Sequence, residues 1–280
     1  NMVSLDGVLA LGSGPRNFVI ADGSNAVDLD VTSSITGAAI LIKSGAGTMR
    51  LSGGLATQNV NSGPVYVTAG TLALNKSGVF GTTGGVAVGT GALIIGGTTG
   101  TTAAVVRLDQ DEQINNANAI TINAGGTLNL GAFSETIGAV SINSSVSTGG
   151  SITGTTGTLY LNSTIAMTGG SVGMTSTGTT FLNGNVTATS NATLAATLTG
   201  NINLGTAAPL SEADTGLYLT VGYYDGDSAE FVRRDELASG GFFSSAPPPA
   251  FLDKPAAFQW ASVKNQFFAM ILTPDQPGAG

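Results

Sequence analysis

GGTLNLGAFSETIGAV, residues 125–140, carries the pattern on which the reading of this chain turns. Within it Gly126 is followed four residues later by Leu130. The same spacing returns in Gly47-Thr-Met-Arg-Leu51, Gly70-Thr-Leu-Ala-Leu74, Gly91-Ala-Leu-Ile-Ile95, Gly157-Thr-Leu-Tyr-Leu161, Gly178-Thr-Thr-Phe-Leu182 and Gly200-Asn-Ile-Asn-Leu204. The glycines step by 23, 21, 35, 31, 21 and 22 residues. A short strand bounded by turn glycines cannot bury its apolar side alone, so copies at this interval must stack on one another to make a core. The repeat predicts a solenoid with Leu51, Leu74, Leu130 and Leu161 in one internal column. The two long steps leave roughly ten extra residues each for loops, against an ordinary repeat of 20 to 25 residues.

Outward from these copies the chain keeps the same grammar. Thr71, Ala73 and Asn75 alternate with Leu72 and Leu74, and Thr121 and Asn123 alternate with Ile120 and Ile122. Period two in Val, Ile, Leu and Thr reads as strand. Gly-Gly pairs beginning at 53, 84, 96, 125, 149 and 169 supply the turns. Helix is opposed by glycine and by β-branched residues alike. A sandwich can also be built from short strands, but it does not need one glycine-plus-aliphatic unit at a near-constant interval.

Composition removes several functional classes. The 280 residues are 42% hydrophobic, enough to bury a core, and only 9% charged, far below the quarter or so of an ordinary globular domain. Nine Lys plus Arg against a net charge of −8 leave no basic surface for nucleic acid. There is no cysteine, so no disulfide framework, and no run of about 18 apolar residues that would span a bilayer. The chain opens at Asn1 without a basic-then-apolar leader, which leads us to expect a piece of something larger whose targeting segment lies elsewhere.

Composition changes near Pro209. Residues 206–280 hold 11 of the 17 aromatics, 7 of the 9 prolines and 13 of the 26 charged residues, whereas residues 136–211 carry no charge. We therefore expect a repeat domain over 1–205 and a distinct segment over 206–280. In that segment Leu217, Leu219 and Val221 alternate as a strand, Pro247, Pro248 and Pro249 mark an extended loop, and Trp260, Val263, Phe267 and Ile271 also fit a helix face.

Two resemblances attach to these regions. The stretch RLDQDEQINNANAITINAGGTLNLGAFSETIGAV beginning at Arg107, together with residues 41–54 and 65–78, resembles the autotransporter-associated β-strand repeat, over about 40–204. That resemblance implies an all-β chain in the form of a right-handed parallel β-helix, exported by a bacterium with an outer membrane and generally without catalysis of its own. The usual C-terminal outer-membrane barrel is missing from the sequence. Residues 204–237 and 258–274, with Trp260, Gln266, Phe267, Phe268 and Pro274, resemble the periplasmic domain of the YidC/Oxa/Alb membrane protein insertases. This second resemblance implies part of a β-supersandwich, with the insertase's own membrane segments absent.

Candidate chemistry is sparse. Gly169-Gly-Ser171-Val-Gly173 has the spacing of a nucleophile elbow, but that chemistry needs a histidine and the chain has none, so Ser171 reads as part of a turn between coils. Asp109, Asp111 and Glu112 form the densest acidic cluster in the repeats, with Arg107, Asp109 and Asp111 expected on one strand face. Calcium is conceivable there. The twelve-residue ligand loop and the nonapeptide calcium repeat are both absent, so a solvated outer face is the preferred reading. Asp225-Gly-Asp227 reads as a hairpin turn. Asn-x-Ser/Thr triplets at Asn75, Asn143, Asn162, Asn185 and Asn191 are what so Asn-, Ser- and Thr-rich a sequence produces by chance.

These readings give an all-β solenoid followed by a partial sandwich, with no catalytic residue, metal or cofactor assigned. The expected role is a non-enzymatic stalk or adhesin at the cell surface or in the periplasm, its partners a surface ligand or other envelope proteins. The first alternative is a fragment of a YidC-type insertase fused to a repeat. A less favoured one is a polysaccharide-active β-helix enzyme, for which Arg107, Asp109 and Asp111 are the one candidate set.

Overall fold

The computed structural model describes residues 3–77, 86–97, 100–189 and 194–204, and beyond them the strands Tyr218–Tyr224, Ala229–Val232 and Ile271–Thr273. The chain divides into two compact units, Asn1–Thr206 and Ala207–Gly280.

The first unit is a parallel β-solenoid of about eight turns. Each turn lays one segment on each of three faces before the chain returns to the first. Face one holds nine parallel strands in register, from Val3–Leu5 to Ala196–Thr199. Face three holds eight, from Arg16–Val19 to Val186–Ala188. Face two is less regular. It begins with the pair Val8–Ala10 and Ser34–Thr36 and passes through a 3-10 turn at Leu55–Thr57 and a single bridge between Val88 and Ile114. It then settles into four strands, Glu135–Ile137, Thr158–Leu161, Thr179–Leu182 and Asn201–Asn203.

Period two explains the interior. On face one Leu29, Met49, Leu72, Val106, Leu128 and Ile152 stack in register with their side chains inward, and a second column runs Val31, Leu51, Leu74, Leu108. On face three Leu41, Val65, Leu93, Ile120, Val140 and Ile165 form the facing column. Apart from Leu29, at 8%, none of these side chains is more than 2% exposed. Burial of each contributes about 1.5 to 3 kcal/mol, and the main chain between turns is satisfied by the ladders.

The expected single column is corrected. Leu51 and Leu74 are neighbours on face one, whereas Leu161 pairs with Ile137 and Leu182 on face two. The copies at Gly47, Gly70 and Gly126 open strands of face one, that at Gly91 a strand of face three, and those at Gly157, Gly178 and Gly200 strands of face two. The motif marks a strand that follows a corner, and every turn has three corners. Glycine is needed there because the turn beneath lies too close for a Cβ. At Gly91 it would sit 2.0 Å from the Gly63 carbonyl oxygen, and at Gly157 1.9 Å from that of Phe133.

The expected pair of long loops is corrected too. The steps of 35 and 31 residues are changes of face. Inter-turn hydrogen bonds join residues 20 apart at Arg50 and Asp30, 24 apart at Thr127 and Ser151, and 21 apart at Asn183 and Asn162. The longest turn instead separates Leu72 from Val106, which pair in register.

In the second unit Tyr218–Tyr224 pairs antiparallel with both Ala229–Val232 and Ile271–Thr273. Leu219 and Val221 lie in the strand their alternation predicts, and Ile271 is in a strand rather than on a helix face. Leu217, Asp225, Asp227, the prolines at 247–249, Trp260, Val263, Gln266, Phe267, Phe268 and Pro274 lie outside the described residues.

Candidate functional site

Charged side chains concentrate in the first six turns of the solenoid, and the folding of those turns sorts them into three settings.

The first is the outer side of face one. Asp30, Arg50, Ala73 and Arg107 occupy successive places in one outward column. Arg50 donates to Asp30 through Nε at 3.1 Å and Nη2 at 2.5 Å, and Ser52 Oγ adds a bond to the same carboxylate at 2.7 Å. Arg107 donates to Asp109 through Nε at 2.7 Å and Nη2 at 3.0 Å. Burial pushes the Asp30 carboxyl up, but the hydrogen bonds from Arg50 and Ser52 and the Arg50 charge prevail and hold it below its ordinary value. Both guanidinium groups are thus occupied by carboxylates of their own chain in forked geometry.

Asp111 does not join this set. Its Oδ1 accepts the Ser134 N–H of the next turn at 2.7 Å, at the corner between faces one and two. The triad Arg107, Asp109 and Asp111 expected on one strand face is therefore split between a side-chain ion pair and a backbone cap. The solvated reading of Glu112 is corrected as well, since that residue is 1% exposed. Its carboxyl accepts the Thr136 hydroxyl of the next turn at 2.8 Å, and that turn closes over it.

The second setting is the interior of that corner, where among the described residues polar side chains stand in for a strand ladder on face two. Lys76 is fully buried and its ammonium donates to the carbonyls of Ser33 at 3.1 Å, Ser52 at 2.8 Å and Thr57 at 2.5 Å. Gln113, in the following turn, accepts the Lys76 N–H at 2.7 Å and donates back to the Lys76 carbonyl at 2.8 Å. Glu135, one turn further, accepts the N–H groups of Gln113 at 2.8 Å and Ile114 at 3.2 Å. Each long polar side chain reaches back to main-chain groups of an earlier turn, Gln113 and Glu135 across one turn and Lys76 across one to Ser52 and Thr57 and two to Ser33.

The third setting is the corner between faces three and one. Lys43 occupies an inward place in register with Phe18 and Val67, and its ammonium donates to the carbonyls of Gly45, Gly47 and Ala69 at 2.7, 2.6 and 2.8 Å. Burial pushes Lys43 and Lys76 down to about 8. Three carbonyl acceptors match the three N–H bonds of an ammonium, and a neutral amine could fill only two.

Asparagine stitches further corners. Asn59 accepts the Ile35 N–H and donates to the Ala87 carbonyl, and Asn143 donates to Asn123, which donates to the Gly96 carbonyl. Of the triplet asparagines, Asn143 and Asn162 are engaged with Asn123 and Asn183, and Asn191 lies outside the described residues.

Ser171 is corrected from turn to strand. The turn is made by Gly169 and Gly170, both at positive φ, and Ser171 sits in the strand Gly170–Met174 between Ser151 and Thr197. Its place on face one belongs to an outward line of hydroxyls in which Thr127 and Ser151 bond at 3.0 Å. Tyr160 and Phe181 stack at 4.7 Å between centroids on face two, each ring against the other along the coil, so they act as a cross-turn packing pair.

Among the described residues no group of three or more His, Cys, Asp or Glu is placed to hold a metal ion, and no helix is long and apolar enough to cross a membrane. The interior polar set was legible in one signal. Lys43, Lys76 and Glu135 share the parity of the inward aliphatics Leu41, Leu74 and Ile137 in their own strands.

Fold and site together define a repetitive parallel β-solenoid whose charged groups are used mainly to close its own turns. No protein-family model, no curated protein and no solved structure matches the chain.

Proposed function

We propose that the chain is the passenger-type part of an exported bacterial envelope protein, a non-enzymatic stalk or adhesin displayed at the cell surface or held in the periplasm. The observation that carries this reading is the pairing of unbroken parallel ladders on faces one and three with a stretch, residues 136–211, that has no charged side chain at all. Such a scaffold extends by adding turns, and its later turns offer hydroxyls and amides in place of acid–base groups. The engagement of Arg50 and Arg107 by their own aspartates supports the same reading over a uronate-binding enzyme, which needs a free base or a metal in its groove. Partners in this reading are a surface ligand or other envelope proteins. Protease shaving and antibody labelling of intact source cells test it; a protein that stays with the cytoplasmic fraction and resists shaving refutes it.

A second reading rests on the antiparallel sheet of the second unit, which suits a fragment of an insertase periplasmic domain joined to the repeat. Reading the gene beyond residue 280 separates the two. Several apolar helices there favour the insertase fragment, and an antiparallel outer-membrane barrel favours the passenger.

A further inference from the structure

The carboxyls of Glu112 and Glu135 are buried in consecutive turns at the corner of faces one and two, 1% and 0% exposed. Glu112 is tied to the next turn by its N–H, which donates to the Ser134 carbonyl at 3.0 Å, and by Oε1, which accepts the Thr136 hydroxyl at 2.8 Å. Its backbone is left-handed, with φ 51°, a conformation that costs a non-glycine residue about 1 to 2 kcal/mol and that turns the side chain into the corner.

What faces the two carboxyls differs. Glu135 presents each oxygen to a main-chain N–H, of Gln113 and of Ile114. Glu112 has an enclosed second oxygen, Oε2, with no hydrogen-bond partner. The surrounding charges do not neutralise it. The Lys76 ammonium is committed to three carbonyls, Arg107 is committed to Asp109, and Asp111 adds a negative charge in the same turn. The following strand, Thr158–Leu161, brings no charge; its Tyr160 lies in register with Thr136 and stacks on Phe181.

A bare carboxylate oxygen enclosed without a donor is strongly disfavoured, and the ordinary relief is to take up a proton. We propose that Glu112 is a carboxylic acid at neutral pH, protonated on Oε2, so that the corner is a proton-dependent latch between turns. Burial is the largest influence on both groups and pushes both up. The Asp111 charge adds to it at Glu112, against the Thr136 and Asn116 side chains and the Thr136 amide. The Gln113, Ile114 and Thr136 amides pull Glu135 back only in part, and burial holds it well above the ordinary carboxyl range. The sign follows. A carboxyl raised above its unfolded value keeps its proton in the folded state where the unfolded chain has lost it, so the stability it contributes is present at low pH and is lost as pH rises through the folded value.

The test is denaturant unfolding at pH 5 and pH 8 of the wild-type chain, Glu112→Gln and Glu135→Gln, with carboxyl NMR of 13C-glutamate-labelled wild type. The wild-type midpoint is higher at pH 5. Glu112→Gln, which mimics the protonated acid, lifts the pH 8 midpoint towards the pH 5 value and reduces the slope. Glu135→Gln turns an amide NH2 against a main-chain N–H and lowers the midpoint at both pH values. In the spectra at least one glutamate carboxyl, that of Glu112, remains protonated at pH 7. The proposal falls if every glutamate is ionised at pH 7, a reading that stands even where a variant does not fold. It also falls if Glu112→Gln keeps the slope or is as damaging as Glu135→Gln. Stabilisation of the wild type at pH 8 by calcium chloride, lost in Glu112→Gln, overturns it in favour of a bound cation.

Discussion

Gln113 holds Lys76 by both main-chain groups, accepting its N–H at 2.7 Å and donating to its carbonyl at 2.8 Å, so that one side chain does what a paired strand does elsewhere in the coil. The two residues are 37 apart in sequence, across the longest turn of the solenoid. Replacing Gln113 by Ala strands a buried donor and a buried acceptor. We expect a loss of about 2 to 6 kcal/mol, at roughly 1 to 3 for each unsatisfied group, read from urea unfolding.

Position in the ladders sets a second expectation. Leu51→Ala and Leu161→Ala, on faces one and two, each lose about 2 to 5 kcal/mol, because both side chains are enclosed by turns above and below. Leu204→Ala, at a residue 51% exposed, stays within about 0.5 kcal/mol. Equal effects at all three positions contradict the stacked interior.

The two ion pairs on face one should separate in the same assay. The Asp30 side chain is 6% exposed and holds both Arg50 and Ser52, whereas Asp109 is 26% exposed and holds Arg107. Asp30→Ala is expected to cost about 1 to 3 kcal/mol, and Asp109→Ala no more than about 1. Salt should weaken the second pair more than the first.

Alkaline pH probes the buried lysines. Burial lowers Lys43 and Lys76 from 10.5 to about 8 in the folded chain. Between those values the unfolded chain binds more protons, so stability rises with pH across the window from about 8 to 10.5. The double variant Lys43→Met, Lys76→Met should lose that rise. Urea midpoints taken at intervals through the window decide it, and a rise preserved in the double variant assigns the titration to other groups.

The architecture was legible where the chain obeys one local rule. Alternation in residues 70–76 and 120–122 and the turn glycines give strands, parallel stacking and a period near 22 without any long-range information. Which face a strand occupies was not legible, because Gly70-Thr-Leu-Ala-Leu74 and Gly157-Thr-Leu-Tyr-Leu161 satisfy the same local requirement at different corners. The polar interior was obscured for a related reason. Charge normally reports solvent, and Glu112 and Glu135 are inside because the corner leaves main-chain amides and a hydroxyl to be met, a need that exists only once consecutive turns are stacked.

Faces one and three are continuous seams of main-chain bonding, while among the described residues face two between Thr36 and Ile114 is closed by side chains, a 3-10 turn and one bridge. Extra residues admitted along that side leave both seams untouched. Segments on that flank can therefore differ in length and chemistry from turn to turn while the pairing of the other two faces is kept.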